Sequence, residues 1–266
     1  YIFEPGSTFK PAVIAAALNE GIVTPEMVFN VENGHWAYGG RILRDYHPYR
    51  QLTVADIIKK SSNIGAAKIS LMLGDDRLDS YLRAFGLGRA MGIDLPGEQS
   101  GIYLPRNKWS KITPTRVAMG QGIGVTGLQM LGIIAAIAND GSLMRPYVVS
   151  KVVAKDGAVL YQTMPLVLNR PIRSQTAAVM RQLLARVTEE DGTGFKANIT
   201  GYRVAGKTGS AQKPIAGGYS MTDYWATFAG FLPVENPELA ILVTLDEPQP
   251  FHTGGVVAAP LFSKIA

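Results

Sequence analysis

A serine and a lysine near the start of the chain have the spacing of an activated nucleophile. Pro5 and Gly6 predict a turn, and the alanine-rich run at 12–18 predicts a helix directly after it. Ser7 would then lie at a helix N-terminus, where free backbone N–H groups favour negative charge. Lys10 follows three residues later, on the same helix face. A hydroxyl beside an amine in a positive field can act as a nucleophile.

This S-x-x-K spacing does not identify a site by itself. It recurs between Ser210 and Lys213, where the sequence predicts a strand end, and a serine cap beside a solvated lysine has the same pattern. Two further patterns each occur once, at a predicted helix break and on a predicted strand: Ser61-Ser62-Asn63 and Lys207-Thr208-Gly209-Ser210. Each alone is readily explained as a helix cap or a strand end. Together, in this order, the three patterns predict one cleft.

Composition excludes several other kinds of chemistry. The chain has no cysteine, so thiol catalysis, disulfides and cysteine-ligated metals are excluded. Its histidines, His35, His47 and His252, are far apart, show no metal-ligand spacing and are expected on the surface or in loops. No G-x-S-x-G elbow supports a Ser-His-Asp triad. The net charge of +5 is spread without a basic run, which argues against a nucleic-acid partner.

The elements that must position these patterns follow from periodicity and turn signals. Helices are predicted at 54–60 (capped by Thr53), 64–73, 75–85, 128–138 (capped by Thr126) and 174–190, and from after Gly254-Gly255 to the C-terminus. Strands are predicted at 202–212, 224–232 and 239–246, with a hairpin at 147–162; segments 22–51 and 86–125 are predicted to be rich in loops. Helices first and antiparallel strands last predict an α+β fold, with one domain over 1–266.

The three patterns are the S-x-x-K, S-x-N and K-T-G signature of penicillin-binding proteins and class A β-lactamases. The chain resembles the transpeptidase domain of class B penicillin-binding proteins almost from end to end, and the Ser61-Ser62-Asn63 form resembles the cell-division or sporulation branch. Other segments that carry the likeness are Glu4-Pro5-Gly6, Pro96-Gly97-Glu98, Gly122-Ile123-Gly124-Val125-Thr126 and Ala229-Gly230-Phe231. The resemblance implies a penicillin-binding/serine β-lactamase-like fold, an antiparallel sheet flanked by helices with an all-helical subregion.

The resemblance also implies a reaction and a set of roles. Ser7 would attack the D-Ala-D-Ala bond of a peptidoglycan stem peptide, and an amine from a second stem would then take the acyl group. Lys10 would be the base, with a pKa lowered by burial and by Lys207 to about 7–8, and Ser61 would pass the proton to the leaving amine. Backbone N–H groups of Ser7 and Ser210 would bind the oxyanion.

Substrate binding is assigned by the same resemblance to four residues around the K-T-G strand and the S-x-N turn. The hydroxyls of Thr208 and Ser210 suit a terminal carboxylate, and the Asn63 amide suits a substrate peptide bond. Gly209 would let the substrate backbone lie against the strand edge. A β-lactam would mimic the donor and leave a stable acyl-enzyme. The implied mechanism needs no cofactor and no metal.

Other functions share part of these patterns. A D,D-carboxypeptidase uses water as acceptor and has every motif. A serine β-lactamase needs a base for deacylation; Glu98 is the one acid worth considering, but its surroundings lack the E-x-x-L-N pattern. A β-lactam sensor, or a division scaffold without catalysis, would belong to another class of protein.

In the family, two sheet strands precede the nucleophile helix, whereas only Tyr1 to Gly6 precede it here. We expect a longer chain that supplies those strands, a non-catalytic N-terminal region and a membrane anchor at the extracytoplasmic face of the cytoplasmic membrane. Without the strands, a central strand of the sheet would have an unpaired edge. A glycosyltransferase and division-complex proteins are the partners expected for the missing regions.

Overall fold

The computed structural model describes all residues from 1 to 266. Its helices are α1 (Lys10–Asn19), α2 (Val54–Lys60), α3 (Asn63–Leu73), α4 (Asp75–Ala84), α5 (Thr113–Ala118), α6 (Gly127–Ala138), α7 (Ser174–Ala185), α8 (Gly254–Val257) and α9 (Ala259–Ile265). Its strands are β1 (Ile2–Phe3), β2 (Val28–Asn30), β3 (His35–Tyr38), β4 (Arg41–Arg44), β5 (Gln51–Thr53), β6 (Val125–Thr126), β7 (Leu143–Met144), β8 (Lys151–Val153), β9 (Val159–Gln162), β10 (Val167–Asn169), β11 (Ala205–Ile215), β12 (Gly218–Leu232) and β13 (Leu239–Asp246). This is the predicted α+β architecture.

The main sheet is antiparallel, in the order β11-β12-β13. Its register places Lys207 opposite Ala229 and Gly209 opposite Thr227. All three predicted strands are confirmed, but β11 continues to Ile215, so Ser210 lies inside the strand and not at its end. The predicted hairpin is also confirmed, since β8 pairs antiparallel with β9. The sheet therefore presents the K-T-G pattern in the middle of a rigid edge strand.

The two faces of this sheet are buried by different helices. Ala229 and Phe231 belong to the main core, on the face against which α6 and α7 pack. Phe228 belongs to a second core on the other face, where its ring meets Phe262 of α9 edge to face, with centroids 4.8 Å apart. Burying each phenylalanine side chain is worth about 1.5–3 kcal/mol. Because both faces are covered, the sheet holds β11 in a fixed position.

The nucleophile segment is positioned by a tight turn and a buried helix. A 3₁₀ turn at Gly6–Phe9 runs directly into α1, whose first eight residues are all buried. Gly6 has φ +55° and its N–H donates to the carbonyl of Gly120 at 3.1 Å. A Cβ on Gly120 would lie 2.1 Å from the Gly6 oxygen, so this approach requires glycine. The predicted helix and its preceding turn are confirmed.

The S-x-N pattern lies at a break between two helices, as predicted. Thr53 caps α2 by accepting a hydrogen bond from the Asp56 N–H at 3.0 Å. Ser61 ends α2 in the left-handed conformation, φ 62°, and Ser62 caps α3 by accepting from the Gly65 N–H at 2.9 Å. Helices α1, α3, α4 and α5 pack on one another and form the helical part of the molecule.

The prediction of a loop-rich segment at 22–51 is wrong in one respect. The segment contains strands, because β2 pairs with β5 and β3 pairs with β4. These pairs are only three or four residues long, and their aromatic and charged side chains alternate too weakly to predict a strand. The β3–β4 hairpin is important for the site, because the chain leaves it at Asp45.

Strand β13 pairs with β12 and has no partner on its other edge within residues 1–266. This matches the unpaired edge that the resemblance implied; that a longer chain covers it stays a prediction. None of the helices is both long and apolar enough to cross a membrane. His35, His47 and His252 are all exposed, as expected.

Candidate active site

The structure brings the three sequence patterns together in one cleft. Ser7 is half-buried in the 3₁₀ turn, and its Oγ lies 2.9 Å from the Nζ of Lys10. The Oγ of Ser61 lies 3.2 Å from the same Nζ and 2.9 Å from the Nζ of Lys207. Contacts of hydrogen-bond length therefore connect Ser7, Lys10, Ser61 and Lys207 in series.

The amine of Lys10 is fully buried and has more oxygen neighbours than hydrogens to give them. It donates to the backbone carbonyl of Ser61 at 2.6 Å and to Oδ1 of Asn63 at 2.8 Å, and both oxygens can only accept. A neutral amine has two hydrogens and one lone pair, so these two bonds use both hydrogens. The lone pair is then left for the hydroxyl of Ser7. The geometry fits an uncharged Lys10 that accepts a proton from Ser7.

The electrostatics of the site favour this neutral form. Burial lowers the pKa of Lys10 to about 7, and the Asp45 carboxylate opposes part of that shift. Burial also lowers the pKa of Lys207 well below its ordinary value, and the charge of Lys10 lowers it further. Our sequence interpretation assigned part of the Lys10 shift to Lys207. In the structure burial is the cause at Lys10, while the repulsion between the two amines bears on Lys207.

The S-x-N turn holds Asn63 in a defined orientation. Its Nδ2 donates to the Arg44 carbonyl at 2.8 Å, which turns Oδ1 towards Lys10. Asp45 accepts from the Asn63 N–H at 2.5 Å, the Ile64 N–H at 3.0 Å and the Ser62 hydroxyl at 2.6 Å. One Nδ2 hydrogen of Asn63 remains, so substrate binding by this amide stays a prediction.

The K-T-G strand places three further predicted residues beside the cleft. The hydroxyl of Thr208 donates to the hydroxyl of Thr193 at 2.9 Å, and Ser210 Oγ accepts from the Gly254 N–H at 2.9 Å. The Ser210 hydroxyl keeps its own hydrogen to donate. Lys207 Nζ also donates to the Thr208 carbonyl at 3.1 Å. The Ser210 hydroxyl and the Lys207 amine are donors that suit a carboxylate, whereas Thr208 would first have to turn its hydroxyl hydrogen away from Thr193.

Gly209 faces the turn that carries the nucleophile, and its predicted role in admitting a substrate backbone stays a prediction. A Cβ at this position would lie 2.9 Å from the Pro5 carbonyl oxygen and 3.0 Å from Cγ2 of Thr8. A side chain at this position would therefore face the turn that carries Ser7. Gly209 lets β11 approach the nucleophile turn closely, which sets the distance between Ser7 and the K-T-G residues.

Sequence reasoning missed two residues of this site. Asp45 is a lone acid after a short strand, and no spacing rule connects it with Asn63. Thr193 stands between two glycines, Gly192 and Gly194, and such a run signals close backbone approach. A Cβ on Gly192 would indeed lie 2.1 Å from the Val187 oxygen. That signal was available in the sequence, whereas the one for Asp45 was not.

No group of three or more histidine, cysteine, aspartate or glutamate side chains in the structure is arranged to hold a metal ion. The side chain of Glu98 accepts hydrogen bonds from the backbone N–H groups of Met91 at 2.6 Å and Gly92 at 2.8 Å. Its carboxylate anchors its own loop. This use leaves it poorly suited to activate a water in the cleft.

Comparison with known proteins agrees with this geometry. The family described as the penicillin binding protein transpeptidase domain matches residues 1–266. Stage V sporulation protein D of Bacillus subtilis is 34% identical over 267 residues, covering 99% of this chain and 41% of that protein. Peptidoglycan D,D-transpeptidase FtsI of Escherichia coli is 35% identical over 266 residues, covering 99% and 43%. The chain thus spans less than half the length of these relatives.

A solved structure shows the same fold. Penicillin-binding protein 3 of Mycobacterium tuberculosis, complexed with aztreonam, matches with a TM-score of 0.91 and 38% identity, over 99% of this chain and 61% of that one. The family match extends over the whole chain and includes all three motifs that meet in the cleft. The chain belongs to the family of penicillin-binding protein transpeptidase domains, in its class B group.

Proposed function

We propose that this chain is the serine-type D-Ala-D-Ala transpeptidase domain of a longer protein, that it cross-links peptidoglycan stem peptides, and that β-lactams acylate it. One observation carries the proposal. The buried Lys10 amine donates hydrogen bonds to the Ser61 carbonyl and to Asn63 Oδ1, and it lies 2.9 Å from Ser7 Oγ. The names of relatives and of the aztreonam complex support the substrate and inhibitor classes.

The acylation step follows from this geometry. Ser7 Oγ gives its proton to the lone pair of Lys10 while it attacks the carbonyl carbon of the penultimate D-alanine. The oxyanion forms beside the backbone N–H groups of Ser7 and Ser210, a kind of interaction worth about 2.7–4 kcal/mol per donor. The lowered pKa of Lys10, about 7, makes its neutral form available at neutral pH.

The proton taken from Ser7 is then returned to the leaving group. Ser61 Oγ lies between the two amines, at 3.2 Å and 2.9 Å, and can receive a proton on one side while it gives one on the other. The C–N bond breaks, the amide nitrogen takes this proton, and the terminal D-alanine leaves with a neutral amino group. In the second half-reaction an acceptor amine attacks the ester carbonyl and loses its proton to the same groups. Ser7 Oγ regains its hydrogen.

The K-T-G residues recognise the donor. Lys207, Thr208 and Ser210 offer an amine and two hydroxyls on one strand, and these match the terminal carboxylate of a stem peptide or the acid group of a β-lactam. The bicyclic or monocyclic lactam presents its strained amide where the D-Ala-D-Ala bond would lie. Ser7 opens it, and we expect the acyl-enzyme to persist because Glu98, the acid considered as a base for deacylation, is held by the backbone N–H groups of its own loop.

The alternatives fit less well or require further observations. The engagement of Glu98 by three backbone N–H groups, those of Met91, Gly92 and Ile93, disfavours a β-lactamase. The series of contacts from Ser7 to Lys207 disfavours an idle scaffold. A carboxypeptidase would use the same groups with water as acceptor, and a sensor would stop at the acyl-enzyme.

Residues 1–266 would form one catalytic domain on the extracytoplasmic face of the cytoplasmic membrane, where peptidoglycan is assembled. Its anchor would be an N-terminal segment outside these residues. A glycosyltransferase and division-complex proteins would be its partners, because cross-linking must follow glycan synthesis.

The test is incubation with benzylpenicillin followed by intact and peptide mass spectrometry. We expect a stable adduct on Ser7 in the wild type and none in Ser7→Ala. A D-Ala-D-Ala donor offered with a D-amino-acid acceptor should then give the exchanged product in the wild type only. Rapid release of the penicilloyl group would indicate a β-lactamase, and hydrolysis without exchange would indicate a carboxypeptidase.

A further inference from the structure

Asp45 is the acidic group that the structure places against the S-x-N turn. It lies in the segment between β4 and β5, outside all three motifs. Its Oδ1 accepts from the N–H groups of Asn63 and Ile64, at 2.5 and 3.0 Å, and its Oδ2 accepts from the Ser62 hydroxyl at 2.6 Å. Three donors at the start of α3 are therefore satisfied by one carboxylate.

These hydrogen bonds also affect the catalytic groups, because two of the residues that Asp45 binds are adjacent in the chain to Ser61 or contact Lys10. Ser62, which Asp45 holds, also caps α3 through the Gly65 N–H at 2.9 Å. The backbone carbonyl of the preceding residue, Arg44, accepts a hydrogen bond from Asn63 Nδ2 at 2.8 Å. This bond fixes which end of the Asn63 amide faces Lys10. Ser61, one residue before Ser62, has left-handed φ, which is strained in a residue with a side chain. Asp45 and Arg44 together hold this strained turn.

The charge of Asp45 also acts on the Lys10 amine. Lys10 is fully buried, and the one charged group that affects its pKa is Asp45 from the β4–β5 segment. Lys207 of β11 lies on the other side of Ser61 Oγ, and there burial, together with the repulsion between the amines, lowers the pKa of Lys207. The neighbouring Lys59 and Lys60 of α2 are paired with Glu189 and Asp191. Asp45 is thus the one carboxylate that raises the pKa of Lys10, against the effect of burial.

We infer that Asp45 is a positioning residue for acylation, which fixes the turn at Ser61–Asn63 around the Lys10 amine and places a negative charge near it. This inference rests on the proposed function of Ser7 and Lys10. Geometry and charge make separate contributions. Loss of geometry slows acylation at every pH, whereas loss of charge makes Lys10 a weaker base that stays neutral at lower pH.

The test compares Asp45→Asn and Asp45→Glu in the full chain, by the rate of benzylpenicillin acylation as a function of pH. Asp45→Asn should lower the plateau rate, which is reached where Lys10 is neutral, by about tenfold or more. It should also move the acid limb, where the rate falls as Lys10 is protonated, to lower pH by about 0.5–1 unit. Asp45→Glu keeps the charge but displaces it, so its plateau should fall while its acid limb stays at the wild-type pH. The position of the limb does not depend on how much protein is folded.

Asp94→Asn is the matched control, since Asp94 accepts from the backbone N–H groups of Val148 and Val149, each at 2.8 Å, and touches no site residue. It should leave both plateau and limb unchanged. An unshifted limb in Asp45→Asn overturns the role of charge, and an undiminished plateau in both Asp45 variants overturns the positioning role. If Asp45→Asn does not fold, the plateau rate of Asp45→Glu tests the positioning role: a lowered plateau supports it and a wild-type plateau overturns it.

A second readout separates this inference from the proposed function. Titration of ¹³Cε-labelled lysine by NMR reports the pKa of Lys10 without any reaction. Asp45→Asn should lower that pKa relative to the wild type, and Asp94→Asn should not. A wild type that benzylpenicillin does not acylate would refute the proposed function, and the titration would still decide whether Asp45 acts on Lys10.

Discussion

Substitution of Gly209 by alanine should separate the K-T-G strand from the nucleophile turn. The added Cβ would lie 2.9 Å from the Pro5 oxygen and 3.0 Å from Thr8 Cγ2, where ordinary contact begins at 3.4 Å. Neither neighbour is free to move, because Pro5 O also accepts from the Thr8 hydroxyl at 2.7 Å and Thr8 is fully buried. Strand β11 must therefore shift by about 0.5 Å relative to Ser7.

This displacement should cost both stability and rate. Overpacking of a tight contact costs about 1–3 kcal/mol, and a domain of this size loses about 2–4 °C of Tm per kcal/mol. A drop of about 4–8 °C is the central expectation. Because Lys207 and Ser210 move with β11 away from Ser7, acylation should slow by about 10–100-fold, as misplacements approaching 1 Å cost about 100-fold.

The assay is the second-order rate of benzylpenicillin acylation at a temperature well below the Tm of both proteins, with Tm measured in parallel. Gly218→Ala is the matched control, since Gly218 belongs to the same sheet and a Cβ there meets nothing within 4 Å. It should acylate at the wild-type rate. Wild-type acylation by Gly209→Ala, or an equal loss in both variants, would refute the close-approach reasoning.

Two further predictions follow from the site. Burial lowers the pKa of Lys10 to about 7, so the acylation rate of the wild type should fall about tenfold per pH unit below about pH 7. Protonation of Lys10 removes the lone pair that receives the Ser7 proton. Stopped-flow rates that stay level between about pH 5 and 8 would contradict this. Thr193→Val removes the acceptor of the Thr208 hydroxyl and should weaken non-covalent binding of penicillins. The dissociation constant of the complex before acylation should rise about fivefold or more, while the limiting acylation rate stays the same. Thr193→Ser should behave as the wild type.

Local signals in the sequence predicted the elements that carry the motifs. The turn before Ser7, the cap at Thr53, the break at Ser61 and the strand through Lys207 each depend on residues within a few positions of one another. Such features follow from backbone preferences, so a single sequence reveals them. The short strands at 28–53 are held by pairing with distant partners, and their sequence does not predict them.

The site residues divide in the same way. The motif residues were identified by type and spacing, but the direction in which Gly209 faces depends on how β11 packs on the Ser7 turn, which is a tertiary contact. The role of Asp45 likewise depends on the approach of the β3–β4 hairpin to α3. Spacing along the chain carries no information about either contact, because both depend on how distant segments pack.

The arrangement of two lysines around one serine allows the site to take up a proton and then return it. Two buried amines that share Ser61 Oγ, at 3.2 and 2.9 Å, repel when both are charged, and burial penalises each charge further. A site with Lys10 neutral can take the proton of Ser7, but the added charge is costly and must leave. The only hydroxyl between the two amines leads towards Lys207 and the strand where the leaving D-alanine would lie. Burial keeps Lys10 neutral and so makes it a base in the first step. The same burial, with the repulsion that a charged Lys10 exerts on Lys207, makes the protonated pair an acid in the next step, and one proton serves both steps.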